Sequence, residues 1–299
     1  MSQKEEGRRL RRLKRAVAPR KRKGRLQGIF RFVAKHPFET GWLLLLVVFA
    51  LLGPSLTHQD PYAVHVADRF RDASRSHLLG TDEYGRDVFT RLIYGTRIVF
   101  YVILLCGFLS AALGSVLGLV AGYFGKVPDL LLSRIVDAVQ AFPPILIGIM
   151  LAAAVRPSLD TAILATALFA TPELARVVRG EVLRIREEAY VEASRAVGAG
   201  HLHIVLRGIL PNVLPAIIVQ TSSSAPRAVI AVAGLSFLGL GAQPPIPDWG
   251  AMVYQASSYM YEHPLYVIVV TVALSVTVII LNLLGDTVRD LLARKQARF

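Results

Sequence analysis

RIVFYVILLCGFLSAALGSVLGLVAGY, residues 97–123, is a run of 27 residues whose only charge is at its first position. As a helix rising 1.5 Å per residue it reaches about 40 Å, more than the roughly 30 Å of a bilayer's hydrocarbon core. A helix also satisfies each backbone N–H and C=O without water, which a span in lipid requires. Comparable apolar runs cover 41–57, 130–155, 159–179, 212–241 and 264–285. The expected fold is therefore all-α, a polytopic membrane protein with six transmembrane helices. The whole composition agrees: of 299 residues 54% are hydrophobic and 18% charged, which excludes an ordinary soluble enzyme, a disordered chain and a collagen-like fold. The single Cys106 lies inside the quoted run, so no intrachain disulfide forms and the residue reads as small core packing.

The net charge of +13 would suggest nucleic acid if it were spread over the chain, but residues 1–37 hold fourteen Lys and Arg against Glu5 and Glu6. Such a run before an apolar span reads as an anchor on an anionic membrane surface, with no nucleic-acid partner. The run 41–57 lacks a small-residue cleavage site and reads as a retained span. The segment from Arg176 to Arg207 carries six arginines, Arg176, Arg179, Arg184, Arg186, Arg195 and Arg207, and 242–263 has no Lys or Arg. The distribution places both termini and the 180–210 loop in the cytoplasm and 242–263 outside. Segment 58–96 conflicts mildly, since it carries five arginines, although Asp60, Asp68, Asp72, Asp82, Glu83 and Asp87 offset them. The resulting division is a basic tail 1–40, a first helix 41–57, an outer segment 58–96, a five-helix core 97–285 holding a cytoplasmic loop 187–211, and a tail 286–299.

Polar residues punctuate this frame. EEAYVEASRAVGAGHLHIVLRGILPN, Glu187 to Asn212, reads as a helix to Val197, a break at Gly198 and Gly200, a short helix His201 to Arg207, and a new span opened by Pro211. Ala189, Ala193, Ala196 and Val197 give the first helix a small apolar face suited to docking on another protein. Gly80, Asp82, Gly85, Arg86 and Asp87 suit a tight turn before the second span, either as structure or as a docking surface. Arg134, Asp137 and Gln140 share one helical face, where Arg134 is expected to pair with Asp137. Gln220, Ser223 and Arg227 lie in a polar stretch of the fifth span that suits pore lining and helix packing equally, with Pro226 expected to kink it. Ser236, Phe237, Gly239 and Gly241 precede a proline-rich break that suits an outer gate or pore lining. Asn282 and Asp286 are expected to help close the bundle.

Gly125-Lys126 has Val120 where a phosphate-cradling loop needs its first Gly, so the chain is not expected to bind ATP that way. His201 and His203 are two apart, and His58, His65 and His77 lack ligand spacing, so no metal site is expected. No nucleophile and base can be paired, so no catalytic residue is assigned. From the residues alone, an ion-driven secondary transporter or channel with Asp137, Arg134 and Arg227 as coupling groups remains open.

The loop, with Glu192-Ala193-Ser194, Gly198 and Gly208-Ile209-Leu210-Pro211, resembles the EAA loop of permease subunits of ABC importers. The strings GTDEYGRDVFTRLIYGTRI (Gly80 to Ile98), AFPPILIGI (Ala141 to Ile149) and LSFLGLGAQPPIPDWGAMV (Leu235 to Val253) resemble the C-type permeases of dipeptide, oligopeptide and nickel importers. The resemblance covers nearly all of 78–285. It departs at Gly208, where the family commonly has Ile, and at Val232, where it often has Glu. It implies a MetI-like permease core in a bacterial or archaeal cytoplasmic membrane, not itself an enzyme, transporting peptides by alternating access. It further implies a homologous second permease, two ATPase subunits binding ATP and Mg, and a solute-binding protein outside. Glu188, Glu192, Ala193, Gly198, Leu210 and Pro211 would couple the permease to the ATPases. No cofactor of this chain's own is implied.

Overall fold

The computed structural model describes residues 37–57 and 59–296. The basic tail up to residue 36, His58 and residues 297–299 lie outside the described residues, and with them the reading of the tail as a membrane anchor. The chain divides at Gly41, and the compact body is Trp42 onward. Besides a one-turn 3-10 helix, Val66–Asp68, nine α-helices are described: α1 (Pro37–Leu56), α2 (Val88–Phe124), α3 (Lys126–Gln140), α4 (Pro144–Ala154), α5 (Leu159–Ile185), α6 (Ala189–Ala196), α7 (His201–Phe237), α8 (Trp249–Ser257) and α9 (Pro264–Gln296). Among the described residues the only β pairing is an isolated bridge between Thr81 and Asp87.

Four helices, α2, α5, α7 and α9, are long and apolar enough to cross a membrane. The run expected as one span over 130–155 is instead two helices, α3 and α4, bent by 88°. The cause is Pro143-Pro144: each proline disfavours helical backbone in the residue before it, and Pro143 takes ψ 137° as the cap of α4. The first apolar segment, Thr40–Gly53, is shorter.

The fifth span also begins earlier than expected. The short helix from His201 does not stop at Arg207 but continues into α7 through a π-turn, Ile204–Ile209. Pro211 has no N–H to donate and its ring would crowd the carbonyl four residues back, and the wider turn relieves both. Further on, α7 passes unbroken through Pro215 and Pro226.

Glycine sets the closest helix contact. Gly114, Gly118 and Gly122 lie at four-residue spacing on one face of α2, and α5 runs along them. A Cβ on Gly114 would stand 2.7 Å from Leu174, on Gly118 2.6 Å from Val178, and on Gly122 2.7 Å from Val182. Small residues that let backbones approach are the usual basis of helix association in lipid, where the hydrophobic effect offers no drive. Around this pair, α7 packs on both α2 and α5, and α9 packs on α7. Among the described residues three apolar clusters result, the smallest being Ala121, Leu132, Val136 and Ala175; the other two are larger. One runs through Val102, Cys106, Ile163 and Val229 to Met252 and Val270; the other joins Leu119, Val178 and Val182 to Val191, Ile204 and Ile209. α1 is tied to the body by Trp42 Nε1 donating to Thr277 Oγ1 at 3.4 Å and Arg97 Nε donating to the Ala50 carbonyl at 2.6 Å.

Because backbone and Cβ atoms meet at Gly118, a larger residue there has no soft neighbour to displace. Gly118→Val is expected to cost about 1–3 kcal/mol by overpacking. Thermal unfolding of detergent-purified protein would register it as a lowered midpoint, whereas Ala112→Val, on the exposed side of α2, should leave the midpoint unchanged.

Candidate functional site: the α6 loop, the Asp82 network and the helix ion pairs

The loop between α5 and α7 is held from beneath and open above. α6 carries one buried residue, Val191, which enters the cluster of Ile185, Ile204 and Ile209. Its end is a Schellman motif: the Gly198 N–H donates to Arg195 O at 2.9 Å and Ala199 N–H to Ser194 O at 3.0 Å, with Gly198 at φ +78°. Tyr190 supplies the tie to α7. Its hydroxyl donates to the Gly208 carbonyl at 3.2 Å and accepts from Asn212 Nδ2 at 2.9 Å, and Asn212 also reaches that carbonyl at 2.7 Å. Two side-chain donors thus converge on the Gly208 carbonyl of the π-turn. On the other side the Tyr123 hydroxyl meets His201 Nδ1 at 2.9 Å, Arg195 lies 5.4 Å over the Tyr123 ring, and Arg186 donates to the Gly122 carbonyl at 2.9 Å.

What remains exposed is the face that the alanine spacing marked, Ala189, Ala193, Ala196 and Val197, and with it Glu192 and Gly198. Val197 is 83% exposed and Leu202 72%, so each offers apolar area to a partner. Glu188 caps α6 by position and lies 3.7 Å from Arg184. Leu210 is half-buried and Pro211 exposed at the base of α7. Sequence reasoning marked the outward residues and missed Tyr190, Val191 and Tyr123, which hold them; the apolar Val191 amid alanines was the available signal.

At the other end, Asp82 organises a buried charge network. Its carboxylate accepts from the backbone N–H of Tyr84 and of Arg86 at 2.9 Å each and from Arg86 Nε at 2.7 Å, and Arg91 Nε lies 3.5 Å away. Asp82, Arg86 and Arg91 are all at most 3% exposed. Arg91 donates to the carbonyls of Pro61 (3.0 Å) and Pro245 (3.2 Å), and Arg86 to Glu83 (3.3 Å), so one cluster joins the outer segment, α2 and the proline-rich turn. Asp87 caps α2 by accepting from Thr90 N at 2.8 Å and meets His77 Nδ1 at 3.0 Å. Gly80 and Gly85 take positive φ, 78° and 75°, and a Cβ on Gly85 would overlap the His65 carbonyl at 1.8 Å.

The proline-rich turn sends the chain back on itself. Asp248 caps α8 by accepting from Ala251 N at 3.0 Å, and burial raises its carboxyl pKa. Trp249 fills the notch left by Gly95 and donates to the Leu92 carbonyl at 3.0 Å. Ser236 is buried, accepts from Ala242 N at 3.2 Å and touches Gly241, so these two lie inside protein, while Phe237 and Gly239 are exposed.

Within the spans the pairing differs from expectation. Asp137 pairs with Arg176 of α5 at 3.0 Å rather than with Arg134, because the α3–α4 bend lays α3 against α5. Arg227 of α7 pairs with Glu173 of α5 at 2.8 Å, a partner the sequence reading did not name. Gln220 and Ser223 lie half-buried on α7. Asn282 bonds its own helix at Val278 O (3.0 Å) and, like Asp286, is exposed, so neither closes the bundle.

Asp82→Asn would leave two buried guanidinium groups without their carboxylate, a loss of about 3–5 kcal/mol for a broken buried pair; limited trypsin digestion should then cut after Arg86 and Arg91, which are buried in the intact protein. Glu83 gives a pH signature. Burial first, then the Asp82 charge, raises its pKa above 4.5. The folded state thus favours the protonated carboxyl, whose contribution is present below 4.5 and is lost as pH rises through the raised value. Glu83→Gln is expected to flatten that part of the stability profile in pH-dependent thermal unfolding.

The comparisons agree with this architecture. Residues 114–298 match the family described as binding-protein-dependent transport system inner membrane component. The chain is 37% identical to the dipeptide transport system permease protein DppC of Alkalihalophilus pseudofirmus over 89% of its length and 88% of that protein's. It is 38% identical to the glutathione transport system permease protein GsiD of Pectobacterium atrosepticum, covering 89% of each chain. Among solved structures it resembles a chain of the MetNI methionine ABC transporter in an inward-facing conformation, with TM-score 0.54, 25% identity and coverage of 67% of this chain and 95% of that one. The chain belongs to the binding-protein-dependent permease family, as a multi-pass membrane permease subunit of an ABC importer of the dipeptide and oligopeptide type.

Proposed function

We propose that this permease translocates peptides across a bacterial or archaeal cytoplasmic membrane by alternating access, driven by two ATPase subunits that grip the α6 loop. A homologous second permease completes the pore, and a solute-binding protein delivers peptide from outside. The observation that carries the coupling reading is the two-sided loop: α6 is fastened to α2 and α7 through Val191, Tyr123 and Tyr190, yet presents Glu192, Ala193, Ala196 and Val197 outward. A helix fastened this way transmits a push to the bundle rather than absorbing it in loop motion. Its small residues admit close approach by another protein's groove, and Val197 supplies apolar area to bury there. Peptide as substrate class rests on the relatives named for dipeptide and glutathione transport.

ATP and Mg belong to the ATPase chains under this reading, and the permease contributes position only. Ala193→Trp with Val197→Asp should leave the purified permease with its normal unfolding midpoint, since both side chains are exposed. Recovery of the ATPase chains with it should fall by more than about tenfold, a loss of 1.4 kcal/mol or more. Tyr261→Ala, 94% exposed outside the loop, is the control. Undiminished recovery of ATPases with the double variant would refute coupling through α6.

A further inference from the structure

Two ion pairs involve α5, a helix long and apolar enough to cross a membrane, and neither is hidden in the protein. Arg227 and Glu173 meet at 2.8 Å with 56% and 48% of their side chains exposed, and Arg176 and Asp137 at 3.0 Å with 52% and 63%. Glu173 is near the middle of α5 (Leu159–Ile185), about 21 Å from the start of that helix at 1.5 Å per residue. Arg227 reaches it from within α7 (His201–Phe237). At that depth an open ion pair facing hydrocarbon is strongly unfavourable, so this face meets water or protein. Gln220, Ser224 and Arg227 follow one another at four- and three-residue spacing on α7, a polar stripe leading to the pair. On α5, Arg176 stands one turn nearer the α6 loop than Glu173, so the second pair continues the first in that direction.

We propose that Glu173 and Arg227 form a contact station for substrates carrying both a free ammonium and a free carboxylate group. This rests on the reading of the chain as a peptide permease. The pair opens and each member takes one end of the substrate, Arg227 the carboxylate by its planar two-pronged donor set and Glu173 the ammonium. Two opposite charges are exchanged for two others, so the loaded station is as neutral as the empty one and needs no proton. An exposed pair holds its members weakly, so exchange is easy. A peptide whose ends are blocked offers neither charge and leaves the pair closed.

The test uses the permease purified with its partner chains. Cys106 is the single cysteine of this chain, so Cys106→Ala gives a background in which Ser224→Cys, one turn from Arg227, is this chain's only thiol, and its modification is read as a mass increase of the permease chain. A charged methanethiosulfonate reagent should modify that thiol, and alanyl-alanine at a concentration that saturates uptake should slow the reaction several-fold. N-acetyl-alanyl-alanine amide should not slow it, and protection should vanish in Glu173→Gln/Arg227→Gln, provided that variant keeps the partner chains in wild-type ratio. An inert thiol, equal protection by the blocked peptide, or protection that survives in the double variant would each overturn the station. Import of alanyl-alanine by the complex without protection defeats the station alone. A complex lacking ATPase chains and unable to import the dipeptide defeats the peptide-permease reading and the station with it.

Discussion

The close approach of α2 to α5 at Gly114, Gly118 and Gly122 is the contact on which the other features depend. In lipid, helices do not gain by hiding apolar surface from one another, so dispersion between closely fitted backbones has to hold them. With α5 fixed this way, its remaining faces are available for α7, α4 and α3, and all three use them. Its last turns then run directly into α6, so the loop's position is set by the same contact. Three charged residues of α5, Glu173, Arg176 and Arg179, reach α7 and α3 rather than α2.

Much of this fold was legible because the constraint that produces it is one-dimensional. Apolar length marks a helix in a bilayer, and the runs at 97–123, 159–179 and 264–285 each lie inside a helix of the structure. What failed was local and had backbone causes. Averaging hydrophobicity across Phe142-Pro143-Pro144 hides an 88° bend, since composition does not register the backbone preference imposed on the residue before a proline. The π-turn before Pro211 was hidden for a related reason: the helix survives a missing N–H by widening, which no periodicity reports. The Gly114–Gly118–Gly122 stripe was readable in principle, and its four-residue spacing is a stronger packing signal than the hydroxyl residues weighed for that purpose.

The site divides along the same line. Outward residues of the loop were found because small and charged side chains form a pattern on a helix surface. The residues that support them, Tyr190 and Tyr123, could not be recognised, because their partners are a carbonyl at Gly208 and a ring at His201 that only the folded chain brings near. Asp82 was read correctly as a turn residue bonding nearby amides, yet its second role, between the guanidinium groups of Arg86 and Arg91, depends on a distance of four residues in one case and on helix α2 in the other. Arg227 was marked as an intramembrane charge, while Glu173, 54 positions earlier, was not paired with it because sequence gives no helix contacts.

Coupling in the proposed mechanism follows from stiffness. Between the exposed face of α6 and the Arg227–Glu173 pair lie the Val191 cluster, the Tyr190 hydrogen bonds and the packed length of α5. Interiors packed by backbone contact do not compress, so a displacement of α6 is carried by α5 and α7 as bodies rather than being dissipated between them. The weakest link across their interface is then the exposed Arg227–Glu173 pair, whose members can exchange partners at small cost. Relative motion of α5 and α7 would accordingly be taken up first where Arg227 meets Glu173. A substrate able to replace either partner would be admitted at the point where the bundle yields, which ties the chemistry of what passes to the mechanics of how the helices move.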